Sequence, residues 1–166
     1  MIKKVMMMAL LFAPLSLFAQ KFGHFNSAEI IQAMPEYATA QKEIQTLQKQ
    51  YEDDLKRMQD ELSKKVDEYS QKRDSLPENI RQRREQELNE LNKRIEQSYQ
   101  DNAQTLQKTS AEKMQSIQTK VLNAVKELGT SGGYVYIMDT TAGIPYISTT
   151  LSTDLTAQVK SKLGIK

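Results

Sequence analysis

The sequence predicts an α+β protein that is predominantly α, with a long antiparallel coiled-coil helical hairpin projecting from a small β-containing body. Three observations lead there. Glu36 to Leu128 is almost wholly helix-forming residues. Its apolar residues make one narrow stripe at helical spacing. Short aromatic and β-branched runs, the signature of strands, stand at both ends of the mature chain. Hydrophobic residues make up 39% and charged residues 27%, with no Trp. That composition suits long polar rods and argues against one compact core.

The first nineteen residues read as a secretory signal. Lys3 and Lys4 are a short positive region, Val5 to Phe18 is apolar except for Pro14 and Ser16, and Ala19 supplies a small residue for cleavage. The apolar run is too short to span a membrane. Residues 1–19 are therefore assigned to a signal peptide cleaved near Ala19, and the mature chain to the cell envelope. The chain has no Cys, which rules out disulfides, thiolate metal sites, thiol nucleophiles and a thiol-linked lipid. Removing Lys3 and Lys4 from 23 basic residues leaves 21, equal to the 21 acidic ones. A neutral mature chain carries no electrostatic footprint for nucleic acid.

The body is assigned to residues 20–34 and 129–166. Phe22 and Phe25 mark a first strand, Ser27 is read as an N-cap, and Ile30, Ile31 and Met34 follow on a brief helix that Pro35 stops or restarts. After Gly129, read as a helix stop, Tyr134–Met138 is a second strand with Val135 and Ile137 in it. Ile144–Ser148 is read as a third strand containing Ile147, edge-like because of Pro145. Ser152 or Thr153 is expected to cap a final helix whose Leu155, Val159 and Leu163 share one face. So small a sheet is marginal alone. Phe22, Phe25, Tyr134, Val135, Ile137, Ile144 and Ile147 are therefore predicted to pool with those of other copies in one shared body.

The hairpin is assigned to residues 35–128, with its tip near 74–78. On the first helix Ile44, Leu47, Tyr51, Leu55, Met58, Leu62, Val66 and Tyr69 recur at spacings of 3, 4, 4, 3, 4, 4 and 3. An 11-residue repeat gives a stripe that runs nearly straight or coils slightly to the right. Leu88, Leu91 and Ile95, followed by Tyr99, open the matching stripe of the second helix. At the turn, Ser75 and Glu78 have capping-box spacing around Pro77. Between Gln100 and Lys113, Asn102, Ala103, Ser110 and Ala111 stand where large apolar residues would be. Two readings remain open there, a poorly packed stretch and a hinge. Lys72, Arg73, Arg81, Arg83 and Arg84 outnumber the tip's carboxylates. They suit either ordinary solvated surface or contact with anionic lipid, lipopolysaccharide or an acidic segment of a client.

No catalytic constellation is present. His24 is the single His and lacks ligand partners at metal spacing. Nucleophile-elbow, Walker and dinucleotide motifs are absent, and paired carboxylates such as Asp53-Asp54 alternate with Lys and Arg on solvated helix faces. The sequence thus points to no enzyme, no cofactor and no metal.

Three stretches together resemble the Skp (OmpH-like) family of periplasmic chaperones: Phe22–Tyr37, the Arg/Glu/Leu-rich return helix, and Tyr134–Asp139 with Gly143–Ile147 and Asp154–Lys160. The resemblance covers the whole mature chain. It implies a homotrimer whose body is a β-barrel shared by three chains, with three helical arms around a cavity. It also implies an ATP-independent holdase for unfolded outer-membrane proteins in the periplasm. Some relatives carry a basic lipopolysaccharide-binding patch on the return helix. The corresponding stretch near Gln107-Lys108 is mostly uncharged here, so that patch is not carried over. A structural spacer or adaptor of the envelope is the rival reading. Mass spectrometry of the exported protein is expected to find its N-terminus at Gln20 or Lys21, and retention of Met1–Ala19 would contradict the signal reading.

Overall fold

The computed structural model describes residues 20–165, so the expected signal segment lies outside the described residues. Among the described residues 77% are helical, and three strands form one sheet. In order come β1 (Lys21–Phe25), α1 (Ser27–Ala33), α2 (Pro35–Lys72), a 3₁₀ turn (Arg73–Ser75) and α3 (Glu78–Gly132). Then follow β2 (Tyr134–Asp139), a second 3₁₀ turn (Thr140–Ala142), β3 (Ser152–Asp154) and α4 (Thr156–Lys162). Two compact units result. One is Ile31–Lys120, and the other combines the flanking segments that end at Ile30 and resume at Val121.

In the flanking unit, β1 is the central strand and pairs in parallel with both β2 and β3. Parallel neighbours cannot be joined by a tight turn. All of α1, α2 and α3 therefore forms the connection from β1 to β2, and β3 is reached by crossing to the other side of β1. The register slips once, because Lys21 faces Tyr134 but Phe22 faces Tyr136. Val135 is the extra residue of a bulge. The slip sets Tyr134 and Ile137 against Gly23, while Tyr136 and Met138 take the face of Phe22 and His24.

The core of this unit is Phe25, Ile30, Val121, Ala124, Val125, Leu155 and Val159, all buried. Gly23 permits it. A Cβ there would stand 2.8 Å from the Leu155 side chain, so only hydrogen lets α4's first turn lie against the strand. Polar bonds close the periphery. Leu155 N–H donates to the His24 carbonyl (2.8 Å), Asn26 N–H to Thr156 Oγ1 (3.0 Å), and Thr140 Oγ1 to the Phe25 carbonyl (3.2 Å). Lys160 pairs with Glu29 and Lys162 with Glu127, both at 2.7 Å.

Several local expectations are corrected. Helix α3 runs past Gly129 to Gly132, and the left-handed residue that ends it is Gly133, at φ 67°. Gly129 instead gives Ile137 room, since a Cβ there would lie 3.2 Å from its side chain. Ile144–Ser148 is not a strand. Pro145 has no N–H for a ladder, and Ser148 Oγ accepts from the N–H groups of Thr150 and Leu151, which curls the segment into a turn. The third strand is Ser152–Asp154, where a helix cap was expected. The N-cap position of α4 is Leu155, which has no polar side chain to cap with, and just ahead of it Asp154 Oδ1 accepts from Thr156 N–H at 2.9 Å. At α1, Asn26 rather than Ser27 caps, its Oδ1 accepting from Glu29 N–H at 3.0 Å. The Ser75–Glu78 capping box does not form. Ser75 Oγ donates back to the Lys72 carbonyl, and the Glu78 carboxylate takes Arg81 and Gln82.

In the Ile31–Lys120 unit, Pro35 occupies the first position of α2, where its missing N–H costs nothing. Met34, Ala40, Leu91, Ile95 and Ile117 are buried. Glu36 pairs with Lys120 at 3.1 Å, Glu43 pairs with Lys113, and the Tyr69 hydroxyl donates to Glu85.

Ile30→Ala is expected to destabilise the protein by about 2–5 kcal/mol, because Ile30 is fully buried and its removal leaves a cavity. Urea unfolding followed by circular dichroism measures it. A loss below about 1 kcal/mol would show that the site collapses around the smaller residue.

Candidate functional site

The described residues hold no group of three or more His, Asp or Glu side chains able to take a metal ion. His24 and Ser152 lie close, with Nδ1 to Oγ at 2.8 Å, and Asp154 is in register with His24. They form no catalytic relay. Asp154 Oδ1 accepts from Thr156 N–H, and the one ring nitrogen of His24 with a hydrogen-bond partner is the one at Ser152.

The most distinctive surface of the flanking unit is apolar. Phe22 and Tyr136 stack with ring centroids 6.3 Å apart and planes 10° from parallel. They line a shallow pocket with Gly23, His24, Met138, Tyr146, Ile147, Ser148, Leu151 and Ser152. Tyr146 is 80% exposed, Leu151 77% and Tyr136 60%. Large apolar groups gathered and left in water mark an interaction surface, whereas single ones do not.

The residues expected in the body divide. Phe22 and Ile147 line this pocket. Phe25 is buried in the core, and Tyr134 and Ile137 are half-buried beside Gly23. Val135 is exposed at the bulge, and Ile144 is half-buried in the irregular connection. Tyr136, Met138, Tyr146 and Leu151 were not singled out by sequence reasoning. Strand alternation alone pairs Tyr134 with Tyr136, and the bulge at Val135 is what separates them.

On α2, Ile44, Leu47, Tyr51, Leu55, Met58, Leu62 and Tyr69 are half-buried, while Val66 is 40% exposed. On α3, Leu88 is half-buried and Leu91 and Ile95 are buried, but Tyr99 is 66% exposed and leaves the stripe. Helix α3 is unbroken from Gln100 to Lys113, with Asn102 and Ser110 half-buried and Ala103 and Ala111 exposed. The tip cations are largely answered locally. Arg81 pairs with Glu78, and Arg83 and Arg84 both pair with Glu87. Lys72 and Arg73 have no carboxylate partner within 4.0 Å among the described residues. Bonds from Arg81 and then Gln82 hold the Glu78 carboxyl below its ordinary range, and the bond to Glu85 pushes the Tyr69 phenol up.

Two carboxylates anchor the sheet ends. Partial burial raises Asp139, but bonds from Ser27 and Thr141 outweigh it and hold the carboxyl low. Bonds from Thr156 do the same for Asp154, against partial burial.

The family model described as Outer membrane protein (OmpH-like) matches residues 21–163. That span takes in β1, both long helices, the rest of the sheet and α4, and the chain belongs to the OmpH-like family. The family is one of periplasmic chaperones of outer-membrane proteins. No curated protein matches the chain. No helix among the described residues is long and apolar enough to cross a membrane.

Depressed carboxylates stabilise the fold above the ordinary carboxylate range, and that contribution is lost as pH falls through their folded-state values, below about pH 4. Asp139→Asn is expected to lose about 1 kcal/mol at pH 7 and much less at pH 2.5. Urea midpoints at the two pH values test this. Equal losses at both would mean that the Asp139 charge does not matter.

Proposed function

We propose that the protein is an ATP-independent periplasmic holdase that assembles as a homotrimer and shelters unfolded outer-membrane proteins between helical arms. The observation that carries the reading is the family match over residues 21–163, which leaves no element of the described chain outside the family pattern. An antiparallel hairpin of α2 and α3 is favoured by the order of their side-chain contacts. Partners on α3 descend from Lys120 to Lys113 to Glu85 as those on α2 rise from Glu36 to Glu43 to Tyr69. Assembly is favoured by the apolar face of Phe22, Tyr136, Met138, Tyr146 and Leu151, which a lone subunit leaves in water.

The mechanism follows from what the client lacks. An unfolded β-barrel protein has unpaired strand edges and apolar residues, and it aggregates until it reaches a membrane. Polar rods around a cavity keep one client chain from meeting another. Contacts spread over many weak sites release it without a nucleotide, and folding into the membrane supplies the driving force. The near-neutral charge of the mature chain and the local pairing of Arg81, Arg83 and Arg84 favour distributed capture over one electrostatic patch. The unbroken α3 supports the rival reading, a stiff adaptor with one localised contact at its tip.

Two sets of variants decide between them. Tyr136→Glu with Met138→Glu is expected to convert the oligomer to single subunits in light scattering while helical circular dichroism persists, because each buried charge costs several kcal/mol. An unchanged mass would remove the sheet face from the assembly. Charge reversal at Arg81, Arg83 and Arg84 is expected to leave suppression of outer-membrane-protein aggregation nearly intact, since exposed pairs contribute about 0–1 kcal/mol each. Asn102→Leu with Ser110→Leu stiffens the arm and is expected to reduce holding of large clients. A dead tip variant beside a fully active stiffened one would replace the holdase with the adaptor.

A further inference from the structure

We infer that His24 ties assembly of the exposed sheet face to pH, the neutral imidazole favouring assembly and its protonation opposing it. The inference rests on the reading above that copies of this chain cover that face, and it adds how the contact is regulated.

His24 is the only His in the chain and sits near the middle of the central strand, opposite Met138 on one side and Asp154 on the other. Its ring is half-buried and lines the pocket with Phe22, Tyr136, Met138, Tyr146 and Leu151. Its Nδ1 meets Ser152 Oγ at 2.8 Å, a contact available to neutral and protonated rings alike.

The charges around it are few. On β1, Lys21 donates to the Gly132 carbonyl. On β2, the one charged residue is Asp139, opposite Phe25, and its carboxylate accepts from Ser27 and Thr141. The connection from Gly143 to Leu151 contains no charged residue, and its Tyr146 and the strand's Tyr136 are neutral in the relevant range. On β3, Asp154 is in register with His24, but it is exposed and bonded to Thr156 N–H. One exposed carboxylate, Asp154, therefore stands near enough to the ring for the two charges to attract, but no described hydrogen bond joins them, and that attraction is the one local term opposing the effect of desolvation.

In a lone subunit, water solvates an imidazolium here. Covering the face with aromatic, Met and Leu side chains removes that water, and a charge without a hydrogen-bonded counter-charge then opposes burial. The assembled state thus binds fewer protons than the free subunits. Association is strongest above the window of about pH 5 to 8 in which imidazoles change charge. It weakens as pH falls, by up to about tenfold per pH unit for each ring covered.

Light scattering of diluted mature chain at pH 8 and pH 5.5 tests this in the wild type, His24→Gln and His24→Phe. The wild-type association constant is expected to fall at least about tenfold on acidification, while both variants stay within about threefold. Equal falls in all three would assign the effect to other groups and overturn the inference. An oligomer that is insensitive to pH, or one that tightens in acid because Asp154 outweighs desolvation, would overturn it too. Single subunits at both pH values would instead overturn the assembly reading itself. Should both variants fail to fold, calorimetric dissociation of the wild type in two buffers of different ionisation heat decides. Uptake of about one proton per subunit supports the inference, and none overturns it.

Discussion

The flanking unit depends on the parallel pairing of β1 with two strands that lie more than 100 residues further along the chain. Five residues, Lys21–Phe25, provide the ladder for β2 on one edge and β3 on the other. Every connection in the unit answers to that strand. Its carbonyls accept from Leu155 N–H and Thr140 Oγ1, and Gly23 admits Leu155 against it. Contacts this distant in sequence carry a large closure cost before they contribute stability. The β1 ladder therefore forms only when both ends of the chain are present. Regular helix in most of the intervening residues makes the closure less costly than a flexible loop of that length would, because an ordered connection has little freedom left to lose.

The two long helices rest on a different balance. Most of their stripe residues are half-buried, and only Met34, Ala40, Leu91, Ile95 and Ile117 in that unit are buried. Burial gain per residue is accordingly modest, and helix propensity with i,i+4 pairs supplies more of the local order than packing does. The pairs Glu36–Lys120 and Glu43–Lys113 join the helices near one end, but exposed ion pairs contribute little and weaken with salt. Helices held together this lightly are ones whose secondary structure does not depend on one fixed packing. The proposed capture of clients of varied size requires that property.

The sheet face brings structure and proposed function together. A three-stranded sheet has two broad faces, and the core residues of the flanking unit cover only the one around Gly23 and Phe25. The other keeps Phe22, Tyr136, Met138, Tyr146 and Leu151 in water. Self-assembly is the economical remedy for a domain too small to bury both faces, because each new copy brings a matching apolar surface. The only imidazole of the chain, His24, stands among those residues.

The sequence alone determined the helical character of residues 36–128, a break at Pro35, and strands at Phe22–Phe25 and Tyr134–Met138. These follow from local rules, namely period, propensity and the missing N–H of proline, and they hold wherever the segment lies. Family membership was also legible, because the specific residues of the first and last stretches stand in order around a helix-forming centre. Only the tertiary structure decided the rest. It showed β3 to be Ser152–Asp154 and Ile144–Ser148 to be irregular, because a three-residue strand is defined by its ladder partner and not by its own residues. It turned Tyr136 and Met138 to the open face, because one bulge at Val135 shifts a period of two by one residue. It carried α3 past Gly129 to Gly132, with Gly133 as the left-handed stop, because which glycine turns left-handed depends on what packs beside it, here Ile137 beside Gly129. Pairing and packing across more than 100 residues made each of these choices, and no local window of sequence contains that information.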